Sequence, residues 1–202
     1  MPPQDPADSI QALLPKIEAI LSRSGTPGLS FAVVHHGETI YIGHLGHRDV
    51  EAGLAPDNDT RYNINSLSKA TIAALVGIEV RRGTLSWDNK IIDLLPEFKS
   101  TEQVVQEQAT LRDVLSHRTG IISIDAPWLE GHNTILMDRS VILPYFATLK
   151  AVQPFRTSFL YNNWGYELTA LILERVTDTP LHQLLHDRLP NKKTPRPSSE
   201  CR

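Results

Sequence analysis

The chain has 202 residues, of which 41% are hydrophobic and 21% are charged. This length suggests one domain, since ordinary domains have roughly 100–200 residues. The formal net charge of −3 lacks the basic excess that nucleic-acid binders carry. The single cysteine, Cys201, excludes a disulfide framework, and no apolar run approaches the ~18 residues of a membrane span. Because the first residues also lack the features of a signal peptide, we expect a cytoplasmic protein that binds neither nucleic acid nor membrane.

The first part of the chain predicts a helix followed by a β-hairpin. Apolar residues recur at helical spacing over residues 10–21, and Pro15 should kink this helix or delay its start. Two stretches rich in β-branched residues flank a turn at His36–Gly37, which predicts a hairpin over Leu29–Ile42. A lone two-stranded hairpin is marginally stable by itself, so the predicted sheet is incomplete.

The rest of the chain predicts helices only. Gly83 follows a long apolar helix at the position where a helix commonly ends, and Thr110 and Asp113 have the spacing of a capping box. The order of the elements indicates an α+β fold over residues 8–189, and the polar tail over residues 190–202 predicts disorder. The predicted helices span residues 66–82, 111–116, 164–176 and 181–189.

Ser66 and Lys69 stand at the start of the most apolar of these helices. Residues three apart lie on one helical face, so the Ser66 hydroxyl and the Lys69 amine can come within hydrogen-bond distance. A neutral lysine can accept a serine proton, and a helix N-terminus favours an oxyanion at an attacked carbonyl. The pattern is common by itself, and a surface serine beside an extended lysine is the alternative interpretation.

Six segments of the chain, one of which contains this pair, occur together in a fixed order. Their joint occurrence is a more specific signal of a family than any single segment. They are Gly25–Ser30, Tyr62–Lys69, Arg82–Leu85, Leu94–Phe98, Thr110–Gly120 and Tyr161–Tyr166. Together they resemble the serine β-lactamase-related family, which includes class C β-lactamases, DD-peptidases, esterases and some acyltransferases. The resemblance implies that residues 8–189 are the N-terminal portion of a domain with an incomplete β-lactamase/transpeptidase-like fold.

The resemblance also implies roles for four residues. Ser66 would be the nucleophile, and Lys69 and Tyr161 would share proton transfer. A neighbouring ammonium lowers the pKa of a phenol from about 10, as a tyrosinate base requires. Tyr161 and Asn163 match the family's Tyr-x-Asn motif, in which Asn163 would hydrogen-bond the bound acyl group.

Other residues with reactive or metal-binding side chains receive no catalytic role. His182 and His186 have the i, i+4 spacing of a two-histidine zinc face, but no glutamate follows His182 and no third ligand is evident. We therefore expect no metal and no other cofactor. We expect His117 to be a buried histidine with satisfied hydrogen bonds, and Gly120 to form a turn that other residues resist.

The family's third motif, Lys-Thr-Gly or a variant such as His-x-Gly on a late strand, has no good match here. Lys193–Thr194 is followed by Pro195, and His44–Gly46 lies in the wrong half of the chain. The resemblance thus implies a chain that stops before this motif, and a hairpin with one unpaired edge because the neighbouring strands of the family are absent. Because the motif supplies one oxyanion-hole donor, we expect slow acylation of Ser66 without efficient turnover.

The predicted function is that of a serine hydrolase, acyltransferase or transesterase that forms an acyl-serine with a small-molecule ester or amide, in secondary metabolism. The alternative is an inactive remnant or a binding module that retains this half of the fold. The presence of Ser66, Lys69 and Tyr161 favours the enzyme, and the missing third motif favours the alternative. The oligomeric state stays open.

Overall fold

The computed structural model describes residues 6–126 and 138–189. The chain divides into two compact units, of which the first reaches Asn63 and the second begins at Ile64. The tail predicted to be disordered, residues 190–202, lies outside the described residues. That residues 8–189 form the N-terminal portion of one domain stays a prediction.

The first unit contains one helix and one antiparallel hairpin. The elements are α1 (Pro6–Ser24), β1 (Gly28–His35) and β2 (Glu38–Gly46). The predicted hairpin is confirmed, and its turn residues His36 and Gly37 both have positive φ angles, 51° and 84°, as a tight two-residue turn requires. Pro15 lies inside α1, which begins before the proline instead of after it. This helix lies in contact with β2.

The sheet has two strands within the described part of the chain, so each strand has one edge without a β-partner there. The strands pair from Gly28 opposite Gly46 to His35 opposite Glu38, with an irregularity between Val33 and Val34. Val34, next to this irregularity, exposes 63% of its surface. The unpaired edge expected from the sequence is present.

A hydrogen-bonded set of side chains joins the segment after the hairpin to the sheet. Ser30 and His44 face each other across the two strands, with 2.8 Å between Ser30 Oγ and His44 Nδ1. Ser30 Oγ also lies 2.9 Å from the Tyr62 hydroxyl, and His44 Nε2 lies 2.9 Å from Asn58 Oδ1. These contacts hold the segment from Asn58 to Tyr62 against β1 and β2.

The second unit is helical in its described residues. A 3₁₀ turn at Asn65–Leu67 leads directly into the first helix. The helices are α2 (Ser68–Arg82), α3 (Ile91–Leu94), α4 (Gln103–Gln108), α5 (Leu111–Leu115), α6 (Ile142–Phe146), α7 (Trp164–Thr177) and α8 (Leu181–Arg188). The sequence predicts α2, α5, α7 and α8. The other three have four to six residues, which is too short to show a helical period.

Helix α7 is the centre of the hydrophobic core of this unit. Trp164, Leu168 and Ile172 on α7 are fully buried. This helix packs against α2, α5, α6 and α8. Because α7 begins at Trp164, the same packing fixes the residues just before it, where the Tyr-x-Asn motif lies.

Two predicted helix ends are also confirmed. Gly83 closes α2 with a left-handed φ of 79°. Thr110 and Asp113 form a reciprocal capping box at the start of α5. The buried Asp113 carboxylate in addition accepts two hydrogen bonds of 2.8 Å from Arg156, which ties α5 to the segment that leads to Tyr161.

Because the Asp113 carboxylate is buried and hydrogen-bonded, we expect the free energy of unfolding to fall in acid. Although burial alone would raise the pKa of Asp113, the hydrogen bonds from Arg156 and Thr110 outweigh it, and the pKa is lowered. The carboxylate therefore stabilises the fold above its unfolded-state pKa of about 4, and this contribution is lost as the pH falls through the lower folded-state pKa. At pH 7, Asp113→Asn should reduce the free energy of unfolding by about 2 kcal/mol, the range of hydrogen bonds to charged groups.

Urea unfolding measured between pH 7 and pH 2 checks this expectation. The difference between wild type and Asp113→Asn should shrink as the pH falls. Asp88→Asn is the control, since Asp88 is an exposed partner of Arg112 and its loss should have a much smaller effect. A constant difference across the pH range would contradict the assignment.

Candidate active site

Ser66 lies in the 3₁₀ turn immediately before α2, and its side chain is exposed. The preceding residue, Asn65, has a positive φ of 45°, so the chain turns sharply as it reaches the serine. Lys69 follows one turn later, where its Nζ donates a hydrogen bond of 3.2 Å to Ser66 Oγ. The three-residue spacing thus places the two groups in contact, as the sequence predicts.

Tyr161 reaches the same hydroxyl from a distant part of the sequence. Tyr161 lies in the segment before α7, and its hydroxyl donates a hydrogen bond of 2.7 Å to Ser66 Oγ. The Lys69 ammonium lies 4.9 Å from the centre of the Tyr161 ring. The predicted convergence of Ser66, Lys69 and Tyr161 is confirmed, and their chemical roles stay a prediction.

The surroundings of Tyr161 favour its ionised form. Burial would raise the pKa of this phenol, but the hydrogen bonds with Lys69 and Ser66 and the positive charge of Lys69 outweigh burial. The pKa of Tyr161 is therefore lowered from its ordinary value near 10. A tyrosine with a lowered pKa, in hydrogen-bond contact with a serine hydroxyl, has the geometry of a general base.

His117 holds the backbone on both sides of Tyr161. Its Nδ1 accepts a hydrogen bond of 3.0 Å from the Asn162 backbone N–H, and its carbonyl oxygen accepts one of 2.8 Å from the Leu160 N–H. Its ring lies 4.6 Å from the Tyr161 ring, centre to centre. Burial and the charge of Lys69 lower the pKa of His117, which keeps the ring neutral at neutral pH. The histidine is buried and hydrogen-bonded, as predicted.

The two asparagines of the Tyr-x-Asn motif have different surroundings. Asn162 is buried, donates to the Ile121 carbonyl at 2.9 Å and accepts from the Gly165 N–H at 3.1 Å, so it joins the start of α7 to the loop after Gly120. Asn163 is half-buried and is the residue expected to contact substrate. Its side-chain Nδ2 donates a hydrogen bond of 2.9 Å to Asp125 Oδ2.

Ser123 and Asp125 are site residues that sequence reasoning missed. Ser123 Oγ donates a hydrogen bond of 2.6 Å to Asp125 Oδ1 and accepts one of 3.1 Å from the Asn163 backbone N–H. Both residues lie in an irregular segment with no periodic pattern. They lie about 40 residues before the Tyr-x-Asn motif, so no local sequence pattern connects them to it. The one available signal is their position shortly after Gly120.

The described residues show no cluster of three or more histidine, cysteine, aspartate or glutamate side chains that could hold a metal ion. His186, one of the pair with metal-like spacing, lies 2.9 Å from the Asp187 carboxylate. None of the helices in the described ranges combines the length and the apolar character needed to cross a bilayer.

Known proteins are similar to this chain in sequence. The Beta-lactamase family model matches residues 14–192. Protein flp of Staphylococcus aureus (strain MW2) is 24% identical over 184 residues, which are 89% of this chain and 36% of that protein. Unguisins hydrolase ungD of Aspergillus violaceofuscus (strain CBS 115571) is 26% identical over 163 residues, 78% of this chain and 29% of that protein. The chain thus spans about a third of the length of these curated relatives.

Solved structures support the same fold. The octameric penicillin-binding protein homologue from Pyrococcus abyssi superposes with a TM-score of 0.79 at 24% identity, over 89% of this chain and 42% of that chain. A class C beta lactamase superposes with a TM-score of 0.71 at 20% identity, over 88% of this chain and 47% of that chain. The predicted α+β fold, a part of the β-lactamase/transpeptidase-like architecture, is confirmed.

Proposed function

Since this chain belongs to the β-lactamase family, we propose that it forms an acyl-enzyme at Ser66 as a serine hydrolase of ester or amide substrates. The observation that carries the proposal is the meeting of Lys69 Nζ and the Tyr161 hydroxyl on Ser66 Oγ, at 3.2 and 2.7 Å. One of the relatives is named a hydrolase. Acyl transfer to another acceptor and a place in secondary metabolism stay predictions.

The geometry supports a sequence of proton transfers. Ser66 Oγ attacks the substrate carbonyl carbon, and the serine proton passes to ionised Tyr161, whose pKa Lys69 lowers. The carbonyl oxygen becomes an oxyanion close to the N-terminal end of α2, where the helix dipole is positive. When the intermediate collapses, the leaving alcohol or amine takes the proton from Tyr161. Water, or an acceptor alcohol in the transfer reaction, then releases the acyl group from Ser66.

A fluorophosphonate probe tests the nucleophile directly. Ser66 Oγ would attack the phosphorus and expel fluoride, and peptide mass spectrometry would locate the adduct. We expect labelling at Ser66, and Ser66→Ala should reduce it to the level of the denatured chain. Ser68→Ala is the matched control, since this serine lies two residues further along and the side chains of Lys69 and Tyr161 hydrogen-bond to Ser66 instead.

The second candidate is a binding module without catalysis. The same experiment separates the two candidates. A folded wild-type chain that is labelled no faster than its denatured form, or an adduct that persists in Ser66→Ala, would overturn the proposed acyl-serine.

A further inference from the structure

The ammonium of Lys69 lies against two tyrosine rings at once. Its Nζ is 4.9 Å from the centre of the Tyr161 ring and 5.4 Å from the centre of the Tyr166 ring. Both distances fall within the roughly 6 Å over which a cation is attracted to the face of an aromatic ring. Lys69 also donates to Ser66 Oγ at 3.2 Å. The position of this charge thus depends on a second ring, that of Tyr166, which has no part in the proton transfers above.

Tyr166 is held in place by two helices. It is buried in the first turn of α7, and its hydroxyl donates a hydrogen bond of 2.9 Å to the carbonyl of Leu115, the last residue of α5. Its ring lies 5.4 Å from the His117 ring, centre to centre. Burial and the charge of Tyr161 raise the pKa of Tyr166, so its phenol stays neutral and does not serve as a second base. A fixed neutral ring can locate a cation without exchanging a proton with it.

The distance between the Lys69 charge and Tyr161 controls how readily Tyr161 ionises. Burial and the charge of Asp125 raise the pKa of Tyr161, whereas contact with Lys69 and Ser66 lowers it. The neighbouring His117 ring is neutral at neutral pH and adds no charge. Because a coulombic attraction weakens as the charges separate, a displaced ammonium would favour the ionised phenol less.

Glu167 competes with Tyr161 for this ammonium. It follows Tyr166 on α7 and is half-buried. Burial raises the pKa of its carboxyl and the charges of Arg139 and Lys69 act against that rise, so the ionised carboxylate attracts Lys69. A lysine ammonium sits on a flexible four-carbon stem, and a further contact is needed to keep it at one of two anionic groups. The Tyr166 ring supplies a contact that Lys69 makes together with the one to Tyr161.

We infer that Tyr166 is a positioning residue, whose ring face holds the Lys69 ammonium against the Tyr161 phenol. The inference rests on the proposed acyl-serine at Ser66 and adds a residue that acts through Lys69. The negative π face of the ring attracts the cation, whereas the hydroxyl is engaged with the Leu115 carbonyl. An aromatic replacement of Tyr166 should therefore preserve the effect, and an aliphatic replacement should remove it.

Titration of tyrosinate absorbance tests this without using the acylation reaction. In each background, subtracting the titration of the matching Tyr161→Phe variant isolates the ionisation of Tyr161. We expect Tyr166→Leu to raise the midpoint of this ionisation by roughly one pH unit, the size of the contribution of a partly desolvated cation–π contact. Tyr166→Phe keeps the ring and should retain the wild-type midpoint.

Pentafluorophenylalanine placed at position 166 separates the charge distribution of the ring from its packing. This ring has nearly the shape of a phenylalanine ring, but its electron-poor face does not attract a cation. The midpoint should rise as it does in Tyr166→Leu. Because the packing is kept, this variant also decides the question if Tyr166→Leu does not fold.

Tyr145→Leu is the matched control. Tyr145 also packs against α7, but its ring stacks on Trp164, with 4.4 Å between the ring centres. Its replacement removes one aromatic ring at the start of the same helix and should leave the Tyr161 midpoint unchanged.

The pH profile of fluorophosphonate labelling at Ser66 gives a second measurement. In Tyr166→Leu, the rise of the labelling rate should move to higher pH together with the absorbance midpoint. A loss of packing alone would slow labelling at every pH and leave the midpoint in place.

The outcomes separate this inference from the acyl-serine itself. Equal midpoints in the wild type and Tyr166→Leu, or an equal rise in Tyr166→Phe or Tyr145→Leu, would overturn the role of Tyr166 and leave labelling at Ser66 standing. A midpoint that rises as expected in a chain whose Ser66 is not labelled would refute the acyl-serine and keep the contact between Tyr166 and Lys69.

Discussion

Tyr161→Phe should slow fluorophosphonate labelling of Ser66 by a factor of about 10²–10⁴, the usual contribution of a positioned general base. The variant keeps the ring against His117 and removes the hydroxyl that lies 2.7 Å from Ser66 Oγ. The pH dependence gives a second readout. Since ionised tyrosine is the active form, the wild-type rate should rise with pH and level off at the lowered pKa of Tyr161, below 10. This rise should be absent from the variant.

The control for this experiment is Tyr145→Phe. Tyr145 stacks on Trp164 with 4.4 Å between the ring centres, whereas Ser66 is contacted by Tyr161, so the Tyr145 hydroxyl should not affect labelling. If Tyr161→Phe labelled at the wild-type rate with the wild-type pH profile, Lys69 would have to act as the base and the role given to Tyr161 would be wrong.

Gly120→Ala should destabilise the second unit by about 3 kcal/mol or more. An added Cβ would overlap the Gln153 carbonyl oxygen, and the glycine has a φ of +75°. The left-handed backbone costs a residue with a side chain roughly 1–2 kcal/mol, and forcing an extra carbon into a filled space typically costs about 1–3 kcal/mol. The contact is with backbone atoms, so no side-chain rotation can relieve it.

Gly83→Ala separates the two costs. Gly83 has a similar φ of +79°, but nothing lies within 4 Å of the position its Cβ would take. This variant should lose only the conformational part, about 1 kcal/mol. Urea unfolding of both variants measures the difference, and equal losses would contradict the close approach of Gln153 to Gly120.

The parts of the site that the sequence predicts are those encoded locally. Ser66 and Lys69 share one turn, and the capping box of α5 is a four-residue pattern, so spacing alone determines these contacts. The hairpin follows from two β-rich stretches around a turn. Only the resemblance to a family predicts Tyr161 beside Ser66, since no local pattern connects residues that are 95 positions apart.

The rest could not be predicted because it depends on tertiary contacts between irregular segments. The sequence gives no reason to assign Asn162 to the scaffold and Asn163 to Asp125, since the two residues are identical and adjacent. The surroundings of His117 arise only when the segment before α7 lies beside α5. Short helices such as α3 have too few residues for a periodic signal.

The contacts of Ser66 differ greatly in sequence separation, so they form at different stages of folding. The contact with Lys69 spans three residues and can form together with the first turns of α2. The contact with Tyr161 closes a loop of 95 residues and requires the packing of α7 against α2. During synthesis, α2 leaves the ribosome long before Tyr161 does. A growing or partly unfolded chain therefore carries its serine and lysine without the tyrosine, and reactivity at Ser66 would report on completed tertiary structure.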